Sequence, residues 1–550
     1  MFKKSAESIQ YNLFTTVSSI YTGRSLKQYE DKLAWHNQFR EQVTMRINES
    51  LFSPLFSFNN GSPNASIRVL IAMMILKEAQ GLSDQKIFED SRYNMLTRSA
   101  IGLLNTDDLV PTESTYYLFR KKINEYAKSG NDNLLHLCFV DITKKQSVEF
   151  EVSGKRIRMD SKLLGSNIAW LSRYELIHET LRLFYKGVKQ SSVFEKAIKE
   201  KLDNILKVEG NKIVYTHSSK EVQSRLQKLG ELIYTILPLF QGSTSSHYLT
   251  LQKVFNEQFK VNEDKIVISR EKEEISAKSI QSPHDTDSHY RNKDGNKVKG
   301  YSINITESCD DDAALNLIGD VDVRTVSTSD VDYFQEDVIK VQEVFPQNTK
   351  AVHADGAYHS PGNQSFCKEN NIDFHLHAIQ GRKGRYEFDI LENGEINILD
   401  TKTRELVDVV KIITKNKIEK WRIKTEKSYR YFTKKDIDTY LIRRKIGETP
   451  IEILQKRNNV EATIFQLGYH YTNAKSRYRG LIKHQMWANI RCLWVNFVRI
   501  SKYIMQLHNN TTIFTKNHLK LILLKLNMVS KLLLEALFPG YILSYENTAS

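Results

Sequence analysis

The chain has 550 residues, of which 79 are Lys or Arg and 65 are Asp or Glu, so its net charge is +14. This length exceeds one ordinary hydrophobic core and predicts two or more domains, and 40% hydrophobic with 26% charged residues excludes a disordered or fibrous protein. Four cysteines without a CxxC pair exclude a disulfide scaffold and a zinc ribbon. The N-terminus lacks the apolar segment of a signal peptide, and charges interrupt the apolar C-terminal stretch, so we expect a cytoplasmic protein without a membrane span.

The first 145 residues have a helical pattern and predict an all-α N-terminal domain. Residues 66–80 form a broad apolar run that stops at Gly81, and Ser83 can cap the helix that follows. Two helices across a short turn are typical of a helix-turn-helix unit, although ordinary helix packing gives the same pattern. The sequence leaves both interpretations open.

Near residue 147 the pattern changes to short strands separated by helices. Residues 148–152 and 156–160 predict two strands around a tight turn, and Arg158 and Asp160 share one face of the second strand. Later segments predict helices over about 168–275, strands from 300 and 315, a helix over 332–344, a strand ending at 355, a β-rich segment over about 385–445 and helices after 450.

These elements predict an α/β fold with two insertions. The core spans residues 146–500, interrupted by a helical insertion at about 168–275 and a small β-rich insertion at about 385–445. Residues 501–550 form a helical C-terminal tail.

The positive charge is concentrated in the last quarter of the chain. Residues 411–550 have a net charge of +17, whereas the first 410 residues have a net charge of −3. A basic module on a nearly neutral body indicates a polyanionic partner, and aromatic side chains among the basic ones favour nucleic acid over a membrane. These aromatic residues are Trp421, Tyr429, Tyr431, Tyr440, Tyr469, Tyr471, Tyr478, Trp487 and Trp494.

Three acidic residues stand out by their positions. Asp160 and Asp355 each come at the end of a predicted strand, where a rigid element can aim a side chain into the crevice beyond the sheet. Glu461 lies in a helix that we expect to start at a Thr449 cap and to run to residue 468, and Arg457 precedes it by four residues on the same face. Glu461 is the only acidic residue between positions 452 and 535, inside the basic module.

Carboxylates that converge from two strands and a helix suit hard divalent cations, which prefer oxygen ligands. Two such ions can activate a nucleophile and stabilise a leaving oxygen in phosphodiester cleavage. No phosphate-binding loop, dinucleotide fingerprint or serine-hydrolase elbow is present, so the usual signals of nucleotide hydrolysis are missing. A competing cluster of His and Asp at residues 284–289 indicates a solvated loop or DNA contact rather than a metal site.

Three segments of the chain resemble the acidic signatures of bacterial insertion-sequence DDE transposases. They are RIRMDSKLLGSN (156–167), AVHADGAYHS (351–360) and RNNVEATIFQLG (457–468). The N-terminal helices, the polar loop from residue 282 and SRYRGLIKH (476–484) are also similar to this family, so the resemblance covers about residues 56–500.

The resemblance implies an RNase H-like core in which Asp160, Asp355 and Glu461 are both the catalytic residues and the ligands of Mg²⁺, or of Mn²⁺ in its place. Relatives often carry a phosphate-binding Tyr and Lys at the positions of Leu454 and Gly468, and Lys475, Arg477 or Arg479 are the candidates to substitute for them here. We expect DNA contacts from Arg457, Lys475, Arg477, Arg479 and Lys483.

The implied activity is metal-dependent DNA strand cleavage to a 3′-hydroxyl, followed by attack of that hydroxyl on target DNA. The implied partners are the element's terminal inverted repeats and the target DNA, bound by a homodimer near the nucleoid, without a membrane or a nucleotide cofactor. Two alternatives remain at this point: a non-catalytic DNA-binding relative, and a structure-specific nuclease on the same core.

Overall fold

The computed structural model describes residues 1–5, 15–293, 295–311, 313–379, 384–391, 394–414, 418–426, 428–468 and 475–537, with side chains up to residue 510. Tyr469 and Tyr471 of the basic module, and residues 538–550 of the expected helical tail, lie outside this range. No helix in the described part of the chain is both long and apolar enough to cross a membrane.

The N-terminal part is helical, as its pattern predicts. Ser66 caps the third helix through its hydroxyl, and Gly81 ends that helix with a φ of 67°. The third helix is buried along nearly its whole length, so it is a central core helix. The helices are α1 (Gly23–Glu30), α2 (Trp35–Gln42), α3 (Ile67–Gln80), α4 (Asp84–Tyr93), α5 (Met95–Ile101), α6 (Glu113–Lys128) and α7 (Leu134–Glu149).

A mixed sheet follows, together with an insertion between its first two strands. The chain continues through β1 (Arg156–Gly165), α8 (Arg173–Val188), α9 (Lys196–Leu206), α10 (Gly210–Thr216), α11 (Ser219–Ile236), α12 (Ser246–Gln258), β2 (Phe259–Val261) and β3 (Val267–Ser269). It then forms β4 (His289–Lys293), β5 (Asn296–Ser308), β6 (Ile318–Thr325), α13 (Asp330–Val344), β7 (Ala351–Ala354), α14 (Pro361–Glu369) and β8 (Asp373–Leu376).

The strand order of the sheet is β4-β5-β1-β7-β8, and β6 also pairs with β5. The β4, β6 and β1 pairings with β5 are antiparallel, whereas β7 runs parallel to β1 and β8 parallel to β7. Parallel neighbours need crossover connections, and α13 and α14 lie in the two segments that make them. Helices α8 to α12 pack around a hydrophobic cluster of their own.

The remaining elements are a β-rich segment and four helices. The strands form two three-stranded sheets, β11-β10-β9 and β12-β13-β14. The elements are β9 (Tyr386–Ile390), β10 (Ile396–Asp400), β11 (Glu405–Val407), β12 (Val409–Ile413), β13 (Glu419–Lys424), β14 (Tyr429–Thr433), α15 (Lys434–Glu448), α16 (Ile451–Gln455), α17 (Asn458–Leu467) and α18 (Leu481–Leu537).

One hydrophobic cluster joins the N-terminal helices to the sheet and to α18. It contains Phe39 of α2, Ile305 of β5, Leu467 of α17 and Phe497 of α18. The rings of Phe39 and Phe497 meet edge to face with centroids 5.1 Å apart. The N-terminal helices are therefore packed against the sheet rather than tethered to it by a linker.

Three local predictions from the sequence are wrong. Residues 148–152 are not a strand, because α7 continues to Glu149 and the chain then turns into β1. Asp160 does not end its strand, because β1 continues to Gly165 through antiparallel pairing with β5. The helix expected from Thr449 to residue 468 is broken into α16 and α17, and Thr449 donates its hydroxyl to Lys445 O instead of capping α16.

Candidate active site

The register of β1 and β7 brings the first two acids to the same level of the sheet. Arg158 pairs with His353 in the parallel ladder, so Asp160 and Asp355 each follow two residues further along neighbouring strands. β7 ends at Ala354, and Asp355 caps the short turn that follows by accepting a hydrogen bond from Gly356 N at 2.6 Å. The two carboxylates thus emerge where the parallel pairing stops.

The break between α16 and α17 supplies the third acid. Arg158 donates a hydrogen bond from Nη1 to Lys456 O at 2.9 Å, which ties the break to β1. α17 therefore starts beside β1, and Glu461 lies in its first turn. The face of β1 that carries Arg158 and Asp160 is turned toward this segment, as the strand alternation predicts.

Arg457 lies at the centre of the three acids. Its Nη2 is 3.0 Å from Asp160 Oδ2 and 3.9 Å from Asp355 Oδ2, and its Nη1 is 3.3 Å from Glu461 Oε1. The structure therefore brings together all three predicted acids around one guanidinium, although the first acid and the last are 301 positions apart in the chain.

The environments of the three carboxylates differ. The side chain of Asp160 is 14% exposed, compared with 42% for Asp355 and 61% for Glu461. Burial raises the pKa of Asp160 to about 6, and the charges of Asp355 and Glu461 act in the same direction, whereas Arg457 and the Ser161 N–H oppose the shift. Asp160 therefore carries an expensive buried charge that a further cation would stabilise.

The donor chemistry of this cluster fits a hard divalent cation. Three carboxylates converge on one positive group, and oxygen ligands are those that Mg²⁺ and Mn²⁺ prefer. In the arrangement described, the guanidinium keeps the acids apart, and among the described residues no three His, Cys, Asp or Glu side chains are close enough together to hold a metal. Asp160, Asp355 and Glu461 are the residues that would hold such an ion.

A buried network that the sequence did not reveal fixes α17 against the sheet. Glu307 of β5 is fully buried and accepts hydrogen bonds from Arg158 Nε at 2.6 Å, Arg499 Nη1 at 2.7 Å and Thr463 Oγ1 at 2.9 Å. Although burial opposes ionisation, Arg499 and Arg158 hold the pKa of Glu307 below its usual value. Thr463 is two residues from Glu461, so this network positions the third acid.

Three of the basic residues predicted to contact DNA donate hydrogen bonds to backbone carbonyl groups of the chain itself. Lys475 Nζ donates to Ile168 O at 2.7 Å, and Arg479 Nε donates to Asn167 O at 2.6 Å. Arg477 donates to Gly81 O at 2.9 Å and to Leu82 O at 3.0 Å, at the end of α3. Their polar groups therefore connect the chain after β1 and the N-terminal helices to the start of α18.

Lys483 lies away from the three acids, on a cavity of about 320 Å³ between α3, α6 and α18. Burial and the neighbouring cations Lys128, Arg120 and Arg479 lower the pKa of the Lys483 ammonium. The cavity is also lined by Tyr116 and Trp487. Leu454, at the position where relatives often carry Tyr, is half-buried in α16.

Within the His and Asp cluster at residues 284–289, the expectation of a solvated loop is wrong for Asp285, which is buried, whereas His284 and Asp287 are exposed. Asp285 is only 3% exposed and accepts hydrogen bonds from Tyr301 OH at 2.6 Å and from Gly480 N at 3.0 Å. Asp287 accepts from Leu481 N at 3.2 Å. These carboxylates stabilise the start of α18, since a helix N-terminus favours negative charge.

One face of the β-rich segment is both basic and aromatic. β13 and β14 pair Arg422 with Tyr431 and Lys424 with Tyr429, so all four side chains share a face. Tyr429 and Tyr431 are 53% and 51% exposed, and the Arg422 guanidinium lies 4.6 Å from the Tyr429 ring centroid. We call these four residues the basic face of the β-rich segment.

Comparisons with known protein families agree with this architecture. Residues 27–122 match the model of a transposase domain of the DUF772 type, and residues 275–497 match the model of the transposase DDE domain. Searches of curated proteins and of solved structures found no match. The two matches together span more than half of the chain and include α17 with Glu461, so the chain belongs to the insertion-sequence DDE transposases.

Proposed function

We propose that this transposase cuts DNA strands in a reaction that depends on Mg²⁺ or Mn²⁺ and joins the resulting 3′-hydroxyl to target DNA. The observation that carries the proposal is the convergence of Asp160, Asp355 and Glu461 on the single guanidinium of Arg457. A divalent ion bound there would neutralise charge on the phosphodiester and lower the pKa of the attacking hydroxyl or water.

The strand order supports an RNase H-like core for this reaction. A central β1 has the antiparallel strands β5 and β6 on one side and the parallel strands β7 and β8 on the other, with two helices in the crossovers. The first acid comes from the central strand and the second from the end of its parallel neighbour. This arrangement is the one that the family resemblance implies.

Two parts of the chain are suited to contact the DNA backbone. The basic face of the β-rich segment combines two cations with two exposed tyrosines, which suits phosphates and unpaired bases. The N-terminal helices, to which we assign recognition of the element ends, are packed on the same core as the acids. Pairing two ends requires at least two copies of the chain, and we assign a homodimer to the DNA complex.

Arg457 has a defined task in this proposal. In the metal-free protein its guanidinium compensates the three carboxylates and holds Glu461 at 3.3 Å. Because a guanidinium can pair in the same bidentate geometry with carboxylate and with phosphate oxygens, it can exchange the acids for a DNA phosphate. Arg457 thus couples metal binding by the three acids to the presence of DNA.

The test uses a supercoiled plasmid that carries the reading frame with its flanking DNA. The wild-type chain should nick it in Mg²⁺ and not in EDTA, and Asp160→Asn, Asp355→Asn and Glu461→Gln should each abolish nicking while DNA binding persists. Asp373→Asn is the matched control, because Asp373 is exposed at the opposite end of the same parallel strands. Normal nicking by the triad variants would refute the proposal, and nicking without joining to target DNA would identify a nuclease.

A further inference from the structure

Lys162 lies on the same face of β1 as Arg158 and Asp160. These residues alternate along the strand, and the next member of the series, Leu164, packs in one cluster with Leu467 of α17. Arg158 and Asp160 both bind the segment that starts α17. Lys162 therefore points to the same helix, farther from its start.

The ammonium of Lys162 meets α17 at its C-terminal end. A Cβ built on Gly468, which ends α17, would lie 3.6 Å from Lys162 Nζ. Gly468 has a φ of −95°, so its backbone conformation does not require glycine. Among the residues that the structure describes, only Lys162 Nζ lies within 4 Å of this Cβ position.

Lys162 has no partner among the residues that the structure describes. Its side chain is half-buried. A half-buried ammonium without a counter-ion lowers the stability of the folded protein, and a bound anion would remove this cost. The terminal carbonyl groups of α17 do not need Lys162 as a hydrogen-bond donor. Arg491 Nε donates to Leu467 O at 3.0 Å, and Arg491 Nη2 donates to Gln466 O.

The other cations near this end of the helix are already engaged. Lys475, Arg477 and Arg479 donate to backbone carbonyl groups, and Arg457 lies at the opposite end of α17, beside the acids. Lys162 thus combines three properties: closeness to Asp160 along the strand, partial burial, and a head group without an internal acceptor in the described part of the chain.

We propose that Lys162 is a phosphate-binding residue of the acid site and holds a phosphate of the DNA strand next to the one brought to Asp160. Residues two apart on a strand are separated by about 6.6 Å, so a phosphate on Lys162 and one at Asp160 fit neighbouring positions of one DNA strand. Lysine binds phosphate as a point charge and needs no fixed approach angle. The proposal rests on the DNA cleavage proposed above.

The experiment compares Lys162→Gln, Lys162→Arg and the wild-type chain on the plasmid with the flanking DNA. Lys155→Gln is the matched control, because it removes the same charge from an exposed residue at the other end of β1. Removing one charge-assisted hydrogen bond should lower kcat/KM for nicking by about 10- to 100-fold in Lys162→Gln. One bound phosphate fewer should make the slope of log K against log salt shallower by about 0.9.

Two further measurements separate binding from folding. Lys162→Gln should have the same melting temperature as the wild-type chain or a higher one. Lys162→Arg should keep most of the wild-type slope of log K against log salt. A lower melting temperature with an unchanged salt slope would overturn the proposal in favour of a structural role. An unchanged salt slope and nicking rate in Lys162→Gln would also overturn it, provided that the wild-type chain nicks. A wild-type chain that does not nick would refute the proposed function itself.

Discussion

Replacing Glu307 with Gln tests whether the buried network of β5 positions the active site. The carboxylate accepts hydrogen bonds from Arg158, Arg499 and Thr463 at 2.6–3.1 Å, and it is fully buried. Gln preserves the shape but offers one acceptor oxygen, and its NH2 group faces a guanidinium. The substitution therefore removes the counter-charge of Arg158, whose side chain is only 5% exposed.

The expected loss of stability follows from this burial. Removing one partner of a buried ion pair costs about 3–5 kcal/mol, because the remaining charge stays without compensation. Each kcal/mol corresponds to about 2–4 °C in Tm for a domain of 150–250 residues, so we expect a decrease of about 6 °C or more.

The effect on cleavage should exceed the effect on stability. Thr463 loses an acceptor two residues from Glu461, and Arg158 also carries the bond to Lys456 O that starts α17. A displacement of about 1 Å at a reacting group can cost about 10²-fold in rate. We expect a decrease of that size in nicking at a temperature where the variant is fully folded.

Glu49→Gln provides the matched control for this assay. Glu49 is also buried, but it binds Ser5 and the Arg68 N–H in the N-terminal part. This variant should lose stability and keep its nicking rate. If Glu307→Gln also nicks at the wild-type rate when folded, the network does not position α17 and Glu307 serves stability alone.

Further predictions concern the charge of Asp160 and the two kinds of basic residue. Burial raises the pKa of Asp160 from 3.8 to about 6, so the metal-free protein should lose roughly 2 kcal/mol of stability as the pH rises from 4 to 6. Asp160→Asn should remove most of this loss in melting curves recorded in EDTA. Arg477→Met should lower stability by about 1 kcal/mol, since it removes two hydrogen bonds to the end of α3, and leave the salt dependence of DNA binding unchanged. Replacing Arg422 and Lys424 with Gln should do the opposite, making the salt slope shallower by about 0.9 for each DNA phosphate that is no longer bound.

The three acids could be predicted from the sequence because each lies in a short segment with its own pattern. Asp355 follows the last residue of β7, as the alternation before the glycine indicates. Asp160 differs, because β1 continues through pairing with β5, whose partner residue Ile305 is 145 positions away in the chain. Local pattern shows where a strand can begin, but distant pairing decides where it ends.

The network around Glu307 and the break in the last acidic helix could not be found in this way. A single Glu in a strand of alternating polar and apolar residues gives no signal of its own until Arg158 and Arg499 are seen around it. The segment from Thr449 to residue 468 has the propensity of one helix, but the hydrogen bond between Arg158 and Lys456 O favours a break there. Tertiary contacts override local propensity at both places.

The hydrogen bonds of these three basic residues show that the net charge of a segment does not identify which residues bind DNA. The net charge of +17 on the last 140 residues indicates a polyanionic partner, yet the exposed residues Lys475, Arg477 and Arg479 each donate hydrogen bonds to backbone carbonyl groups of the chain itself. The basic face of the β-rich segment, in contrast, presents Arg422 and Lys424 beside two exposed tyrosines. Which cations are engaged becomes visible only from their acceptors.

The most direct test of the proposed metal site is to locate the bound divalent ion on the chain itself. Fe²⁺ that replaces Mg²⁺ generates radicals which cut the polypeptide near the ion. We expect cuts near residues 160, 355 and 461 that Mg²⁺ competes away and that Asp160→Asn suppresses. Cuts confined to other segments, or cuts that persist unchanged in the variant, would contradict a shared metal site of these three acids.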